Sequence, residues 1–387
     1  MQKPNVILIV MDGLRAKSMS CYGYKRPTTP FLEEFSKRST LFTNTFTVNG
    51  SSKGAHTALL TGLHPHVTRT LNEFSPYVKS NPTIMEFLKQ KGYRTIGIST
   101  QCPLFGLESG LIRGFDQYAH IVKSYKQVSF KDLNVCMQWD ANARLVDRVV
   151  RRGGMLMKRM TDRFLGEQGT ASSDARKLER FSLKNDMGGK KTISLLKEYT
   201  AEHSGTGEPF FLFSNILNTH RPFLPPEQFR DAFGRLKLTD KVIAANMDEI
   251  EVICGINALS ADEKETIRTL YDCTVLYADY LLKEFIGWLE ANYNLDDFLI
   301  IITADHGDML FEQEDGYAHR WFLYQPVLHI PMIVRGKGFP QGARFSHATS
   351  IEDVSPTIAN AVCGEGPWLA PATGRDLRQQ DPDRIII

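Results

Sequence analysis

The stretch NVILIVMDG, Asn5–Gly13, is aliphatic and β-branched from Val6 to Met11 and then stops at an aspartate and a glycine. An unbroken apolar run closed by turn residues is the pattern of a parallel strand buried on both faces, not of a strand with one wet face. Asp12 would then emerge at the strand's carboxyl end, which is the edge where open α/β sheets bind ligands.

The rest of the chain repeats this theme. YRTIGIST (93–100), PFFLFSNIL (209–217), DFLIIITADHGD (297–308) and IPMIVRG (330–336) are further strand candidates, and TIMEFLKQKG (83–92) and VLYADYLLKEFIGWLEANY (275–293) have helical spacing. The alternation predicts an α/β fold with a central, mostly parallel sheet sandwiched by helices. The 387 residues are expected to form a single catalytic-size domain, 1–387, within which 141–191 is a basic, glycine-rich inserted lobe or lid.

Hydrophobic residues make up 42% and charged residues 23%, as in a globular chain with a substantial core. With 46 basic against 44 acidic residues there is no global field for nucleic acid, so anion specificity must be local. The six cysteines show no CxxC pair and no dense framework, which predicts reduced thiols. No segment has about twenty uninterrupted apolar residues and the N-terminus lacks a signal-peptide cleavage site, so the expectation is no transmembrane segment and a cytoplasmic location.

Asp12, Asp305 and His306 all fall at predicted strand ends, offering two carboxylates and one imidazole. A divalent metal is the natural reason to gather them. The imidazole favours zinc or manganese, with calcium or magnesium still open. NGSSKGAHTALLTG, Asn49–Gly62, reads as a loop, a cap and a helix, with Ser51 or Ser52 as the capping residue in the bland reading. A helix start also aims free amides at an anion, and Lys53 and His56 would add positive charge there. The remaining histidines, His64, His66, His120, His203, His329 and His347, have no metal-ligand spacing and are expected to be structural or solvent-exposed. Trp288 and Phe285 are expected in the core.

Taken together, these motifs resemble the sulfatase family of the alkaline-phosphatase superfamily nearly end to end. The opening with its CYGY and TP segment, HTALLTGLHPH, RGFDQY, FFLFSNILNTHRPFLPP, IIITADHGD and YAHRWFLYQPVLHIPMIVRG occur in the family's order. Counting back from Thr61-Gly62, the family pattern C/S-x-P-S-R-x-x-x-x-T-G puts the nucleophile on Ser52. The resemblance thus implies a metal shell of Asp12, Ser52, Asp305 and His306, with Lys53, His56, His220 and His319 around the ester and His319 as the leaving-group acid. Arg15, Asn72 and Arg320 are weaker substrate candidates.

Departures from the pattern refine the expectation. Sulfatase maturation to formylglycine reads a proline and an arginine after the nucleophile, and here those positions are Gly54 and His56. An unmodified, metal-activated Ser52 cleaving a phosphate mono- or diester is therefore the first expectation. The alternatives are a sulfuric ester hydrolase with formylglycine at Ser52, a phosphotransferase to an alcohol acceptor, and a metal-binding protein without turnover. The substrate class is a small-molecule, sugar or lipid phospho- or sulfo-ester.

Overall fold

The computed structural model describes residues 3–71, 75, 81–100, 110–121, 186–313, 316–320, 322–364, 372–379, 381 and 383–386. Eleven strands are present among them: β1 (Asn5–Met11), β2 (Thr40–Phe46), β3 (Arg94–Ser99), β4 (Gln117–His120), β5 (Phe210–Ile216), β6 (Phe298–Thr303), β7 (Met309–Leu310), β8 (Tyr317–Ala318), β9 (His329–Arg335), β10 (Arg344–Phe345) and β11 (Thr349–Ser350). Nine of them build one sheet in the order β10-β2-β9-β6-β1-β5-β3-β4, with β11 also on β2. β1 runs parallel to both β5 and β6, as the apolar Asn5–Gly13 stretch predicts, and every side chain from Val6 to Met11 is fully buried.

The sheet is mostly parallel, but β9 runs antiparallel to both β6 and β2. The β2 sequence TLFTNTF is not a strand candidate by apolar run, because threonine and asparagine interrupt its phenylalanines. Its place near one end of the sheet explains the interruption: Thr43 is half-buried and Asn44 exposed, so no continuous aliphatic run is needed. Helices pack in two groups against the sheet. Ala261–Asn292 lies on Gly189–Ser204 and Pro30–Ser36, and Ser52–Thr61 packs with Val354–Cys363. The long helix starts at a capping box, in which the side chains of Ser260 and Glu263 each accept from the other's backbone N–H. Further along it buries Phe285, with Trp288 stacked beside that ring.

Register decides what meets at the sheet's carboxyl edge. Val10 is level with Thr303 on β6 and with Asn215 on β5. Asp12 and Asp305, each two residues further on, therefore leave neighbouring strands side by side. Positions 141–185 of the expected inserted lobe lie outside the described residues, and Gly189–Lys191 already form the first turn of a helix. No helix among the described residues is long and apolar enough to cross a membrane.

Because β1 is fully buried from Val6 to Met11, Ile9→Ala should cost about 2–5 kcal/mol, read as a lower urea midpoint. Glu34→Ala removes only an exposed partner of Lys37 and should leave that midpoint nearly unchanged. Equal shifts for the two variants would contradict this placement of the core.

Candidate active site

Two glycines shape the strand ends. Gly13 has φ +75°, a conformation that suits glycine, and its N–H donates to Asp305 Oδ1 at 3.1 Å. A Cβ at Gly307 would fall on the Pro326 carbonyl oxygen, while the Gly307 N–H donates to Val327 O at 2.7 Å. The glycine of MDG is thus favoured by its left-handed backbone, and that of DHG is demanded by close backbone approach. Asp12 is steadied by Asn215 Nδ2, which donates to its Oδ2 at 3.2 Å, and by the Thr219 hydroxyl, which donates to its carbonyl at 2.7 Å.

The Ser52 helix enters the same edge. Ser51 is its N-cap residue but makes no side-chain capping bond, so the bland reading of a serine cap does not describe this start. Asn49 organises the turn instead, its Oδ1 accepting from Ser51 N at 2.7 Å and its Nδ2 donating to Leu71 O at 3.1 Å. Ser52, 3% exposed, sits in the first helical turn with its Oγ 2.9 Å from His306 Nε2.

The tautomer of His306 follows from its other nitrogen. Nδ1 lies 2.8 Å from Gly307 O, a carbonyl that can only accept, so Nδ1 has a proton and Nε2 is the atom whose lone pair the ring would offer to a metal. That lone pair faces Ser52 Oγ, Asp305 Oδ2 at 3.3 Å and Asp12 Oδ1 at 3.9 Å. Ligand atoms of Asp12, Asp305 and His306 all lie within 4.8 Å of one another, and all three residues are buried. Asp305 Oδ2 accepts no hydrogen bond from a described residue. Two carboxylates, an imidazole lone pair and a hydroxyl, converging where all are buried, fit a divalent cation.

Charge balance around this group is tight. Burial pushes the Asp305 carboxyl up, but the His306 and His56 imidazoles and the Gly13 N–H outweigh it and hold it below the usual range. His56 is fully buried, and its Nδ1–H donates to Ser52 O at 2.8 Å while lying 3.5 Å from Asp305 Oδ2. It therefore braces the backbone of Ser52 beside Asp305. Lys53 is half-buried at the helix start.

His220 and His319 face the cluster from opposite loops. His220 Nδ1–H donates to Arg221 O at 2.6 Å, and its Nε2 is 4.0 Å from Asp12 Oδ1. His319 stacks on His306, with ring centroids 4.0 Å apart, and its Nδ1 is 3.3 Å from Asp308 Oδ1. Burial and the neighbouring His306 push the His319 imidazole down to about 3 despite Asp308. Burial, His306 and Arg221 also lower His220. Both rings are neutral near pH 7, so an acid role for His319 requires a proton that arrives with the substrate.

The weaker candidates separate. Arg15 is buried: it donates to Asp308 O at 3.0 Å and pairs with Glu312, so it braces the loop that follows Asp305 and His306. Arg320 is exposed, and its charge acts on Glu249. Asn72 lies outside the described residues. His329 and His64 are structural, donating to Thr43 O and accepting from His66 N respectively.

Reasoning from sequence missed Asp308, Arg221 and Glu249, although DHGD and NTHRP contain two of them. Arg221 bridges Asp308 Oδ2 at 3.4 Å and Glu249 Oε2 at 3.1 Å and lies 4.9 Å over the Tyr317 ring. Burial opposes ionisation of Asp308, yet Arg221 and His319 hold its carboxyl far below the usual range. No local spacing advertises a pair 87 residues apart.

Two measurements check the site. Asp305→Asn and His306→Ala should each weaken manganese or zinc binding at least about 100-fold in calorimetric titration; unchanged affinity would place the metal elsewhere. Arg221→Met strands Asp308 and should cost about 3–5 kcal/mol. In the wild type Asp308 has a depressed folded pKa, so its stabilisation holds above the unfolded value of about 4 and fades only as pH falls below it. In Arg221→Met burial alone raises that pKa, so stability should instead fall as pH rises from about 4 toward neutrality. A parallel offset at all pH values in chemical denaturation would contradict the pairing.

The Sulfatase family model matches residues 4–364. Choline-sulfatase of Rhizobium meliloti is 23% identical, covering 92% of this chain and 67% of that protein. Arylsulfatase K of Homo sapiens is 21% identical over 92% of this chain and 62% of its own length. Among solved structures, the phosphonate monoester hydrolase of Agrobacterium radiobacter superposes with a TM-score of 0.65 at 19% identity, covering 93% of this chain and 74% of that one. With the metal-type cluster at the carboxyl edge of a matching sheet, the chain belongs to the sulfatase family of ester hydrolases, within the alkaline-phosphatase superfamily.

Proposed function

We propose that this chain hydrolyses a phosphate mono- or diester with Ser52 itself as the nucleophile. The observation behind this reading is the seat of Ser52: a hydroxyl 2.9 Å from the His306 lone pair, followed by a glycine and a histidine where maturation reads proline and arginine. A Cβ at Gly54 would lie 2.5 Å from Asn49 Nδ2 and 2.9 Å from Thr70 O, so a proline there conflicts with the turn that positions Ser52.

The chemistry divides among named groups. A divalent cation held by Asp12, Asp305, His306 and Ser52 would lower the hydroxyl's pKa and offset charge on the transferred group. Ser52 Oγ attacks phosphorus in line as the bond to the leaving oxygen breaks. The start of the Ser52 helix and Lys53 favour the anionic oxygens. With a monoester, His319 Nε2, free to accept because Nδ1–H is committed to Asp308, takes the proton of the monoanionic ester and delivers it to the leaving oxygen. A diester brings no such proton and its leaving group departs as the oxyanion, the Ser52 proton passing to solvent in both cases. Asp308 steadies the transient imidazolium. Water then releases phosphate from the serine.

A sulfuric ester hydrolase with formylglycine at position 52 is the second reading, favoured by the names of the curated relatives, choline-sulfatase and arylsulfatase K. Assays on an aryl phosphate, an aryl phosphodiester and an aryl sulfate separate the two. The expected result is phosphoester turnover that a chelator removes and metal restores, with Ser52→Ala lowering kcat by about 1,000-fold or more. Turnover of the sulfate ester alone would overturn the first reading.

A further inference from the structure

Residues 47–51 belong to no helix or strand, yet they join the end of β2 to the first turn of the Ser52 helix and so decide where the nucleophile stands. We propose that Asn49 is the positioning residue of Ser52, its side-chain amide setting the entry of the helix and with it the place of Ser52 Oγ against His306. The inference rests on the Ser52 reading above and goes beyond it by naming the side chain that sets its geometry.

Both ends of the amide are in use. Oδ1 accepts from the Ser51 N–H at 2.7 Å, which closes an Asx-type turn over Gly50 and orients the residue just before the nucleophile. Nδ2 donates to Leu71 O at 3.1 Å, which ties that turn to the loop following the helix. Ser51 makes no side-chain capping bond, so the asparagine two residues earlier closes the entry. Thr47 anchors the other side: its N–H donates to Leu328 O at 2.8 Å and its hydroxyl to Asn49 O at 3.3 Å.

Two glycines show how little slack the turn has. A Cβ at Gly54 would lie 2.5 Å from Asn49 Nδ2 and 2.6 Å from its Cγ, so the amide rests directly on the first turn of the Ser52 helix. Gly50 faces the segment that holds His319: a Cβ there would lie 3.1 Å from His319 O and 3.3 Å from Phe322 O. The turn is therefore gripped between the nucleophile helix and the His319 segment, and its shape sets the distance between them. Asn49 bonds to Ser51 and Leu71 and to none of the metal-type ligand atoms, so it acts on the reaction through the place of Ser52. A nucleophile misplaced by about 1 Å loses about 100-fold in rate.

The test measures kcat and KM for an aryl phosphate in the full chain, comparing wild type with Asn49→Ala, which loses both bonds, and Asn49→Ser, whose hydroxyl can still accept from the Ser51 N–H. Asn49→Ala should lower kcat by about 10–100-fold with KM within about twofold of wild type, and Asn49→Ser should recover at least about threefold of that loss. A kcat of Asn49→Ala within about twofold of wild type, a loss carried by KM alone, or a serine variant as slow as the alanine one overturns the proposal. If circular dichroism shows Asn49→Ala unfolded, Asn49→Ser decides: a kcat about threefold or more below wild type supports the role and an unchanged kcat overturns it. If the wild type cleaves no phosphoester, the Ser52 reading falls, and crystal structures decide the positioning role by themselves. Ser52 Oγ displaced by about 1 Å from His306 Nε2 in Asn49→Ala then upholds it, and an unmoved Oγ overturns it.

Discussion

Asp12 and Asp305 bring two carboxylates to one buried edge of the sheet, and everything nearby answers to the electrostatic demand this creates. Like charges in a low-dielectric setting repel strongly and normally force one carboxyl to keep its proton. Here Asp305 is instead held ionised by imidazoles and a backbone N–H, and its Oδ2 is left without a hydrogen-bond donor among the described residues. Such an arrangement is stable only with positive charge at its centre. The register of β1 between β5 and β6 creates the problem, and the divalent cation proposed here would resolve it and activate Ser52.

A second buried charge system stands one layer out. Arg221 neutralises Asp308 and Glu249 together, and Asp308 in turn orients His319. Removing the arginine would leave both carboxylates without their shared cation. The loop from Asp308 to Glu312 is also clamped by Arg15, and Arg268 donates to the carbonyls of Leu310 and Phe311. Rigid support of this kind would keep the imidazole in place through the proton transfer proposed for it.

Much of this was legible in the sequence, for a physical reason. Doubly buried strands must be apolar throughout, so NVILIVMDG and DFLIIITADHGD announced both their burial and the acidic ends that follow. β2 was not legible as a strand because its outer place permits polar residues. Asp12, Asp305, His306 and Ser52 were visible because each ends a strand or starts a helix, whereas their bracing partners were not. Arg221 and Glu249 come from a loop and a short helix whose meeting depends on the whole chain path. His56 and Arg15 mark the limit of spacing arguments: each lies at the site, yet the first turns its Nδ1 to the helix backbone and the second reaches to the Asp308 loop.

The proposed mechanism requires that Ser52 act as an unmodified serine. It is tested most directly by the mass of the peptide spanning Ser52, taken from resting protein and from protein quenched in acid during turnover of a phosphoester. The expected result is an unmodified serine at rest and a phosphoryl adduct on Ser52 in the quenched sample. A resting mass lacking a pair of hydrogens at position 52, with no phosphoryl adduct on quenching, would contradict it and identify the aldehyde-bearing residue of a sulfatase.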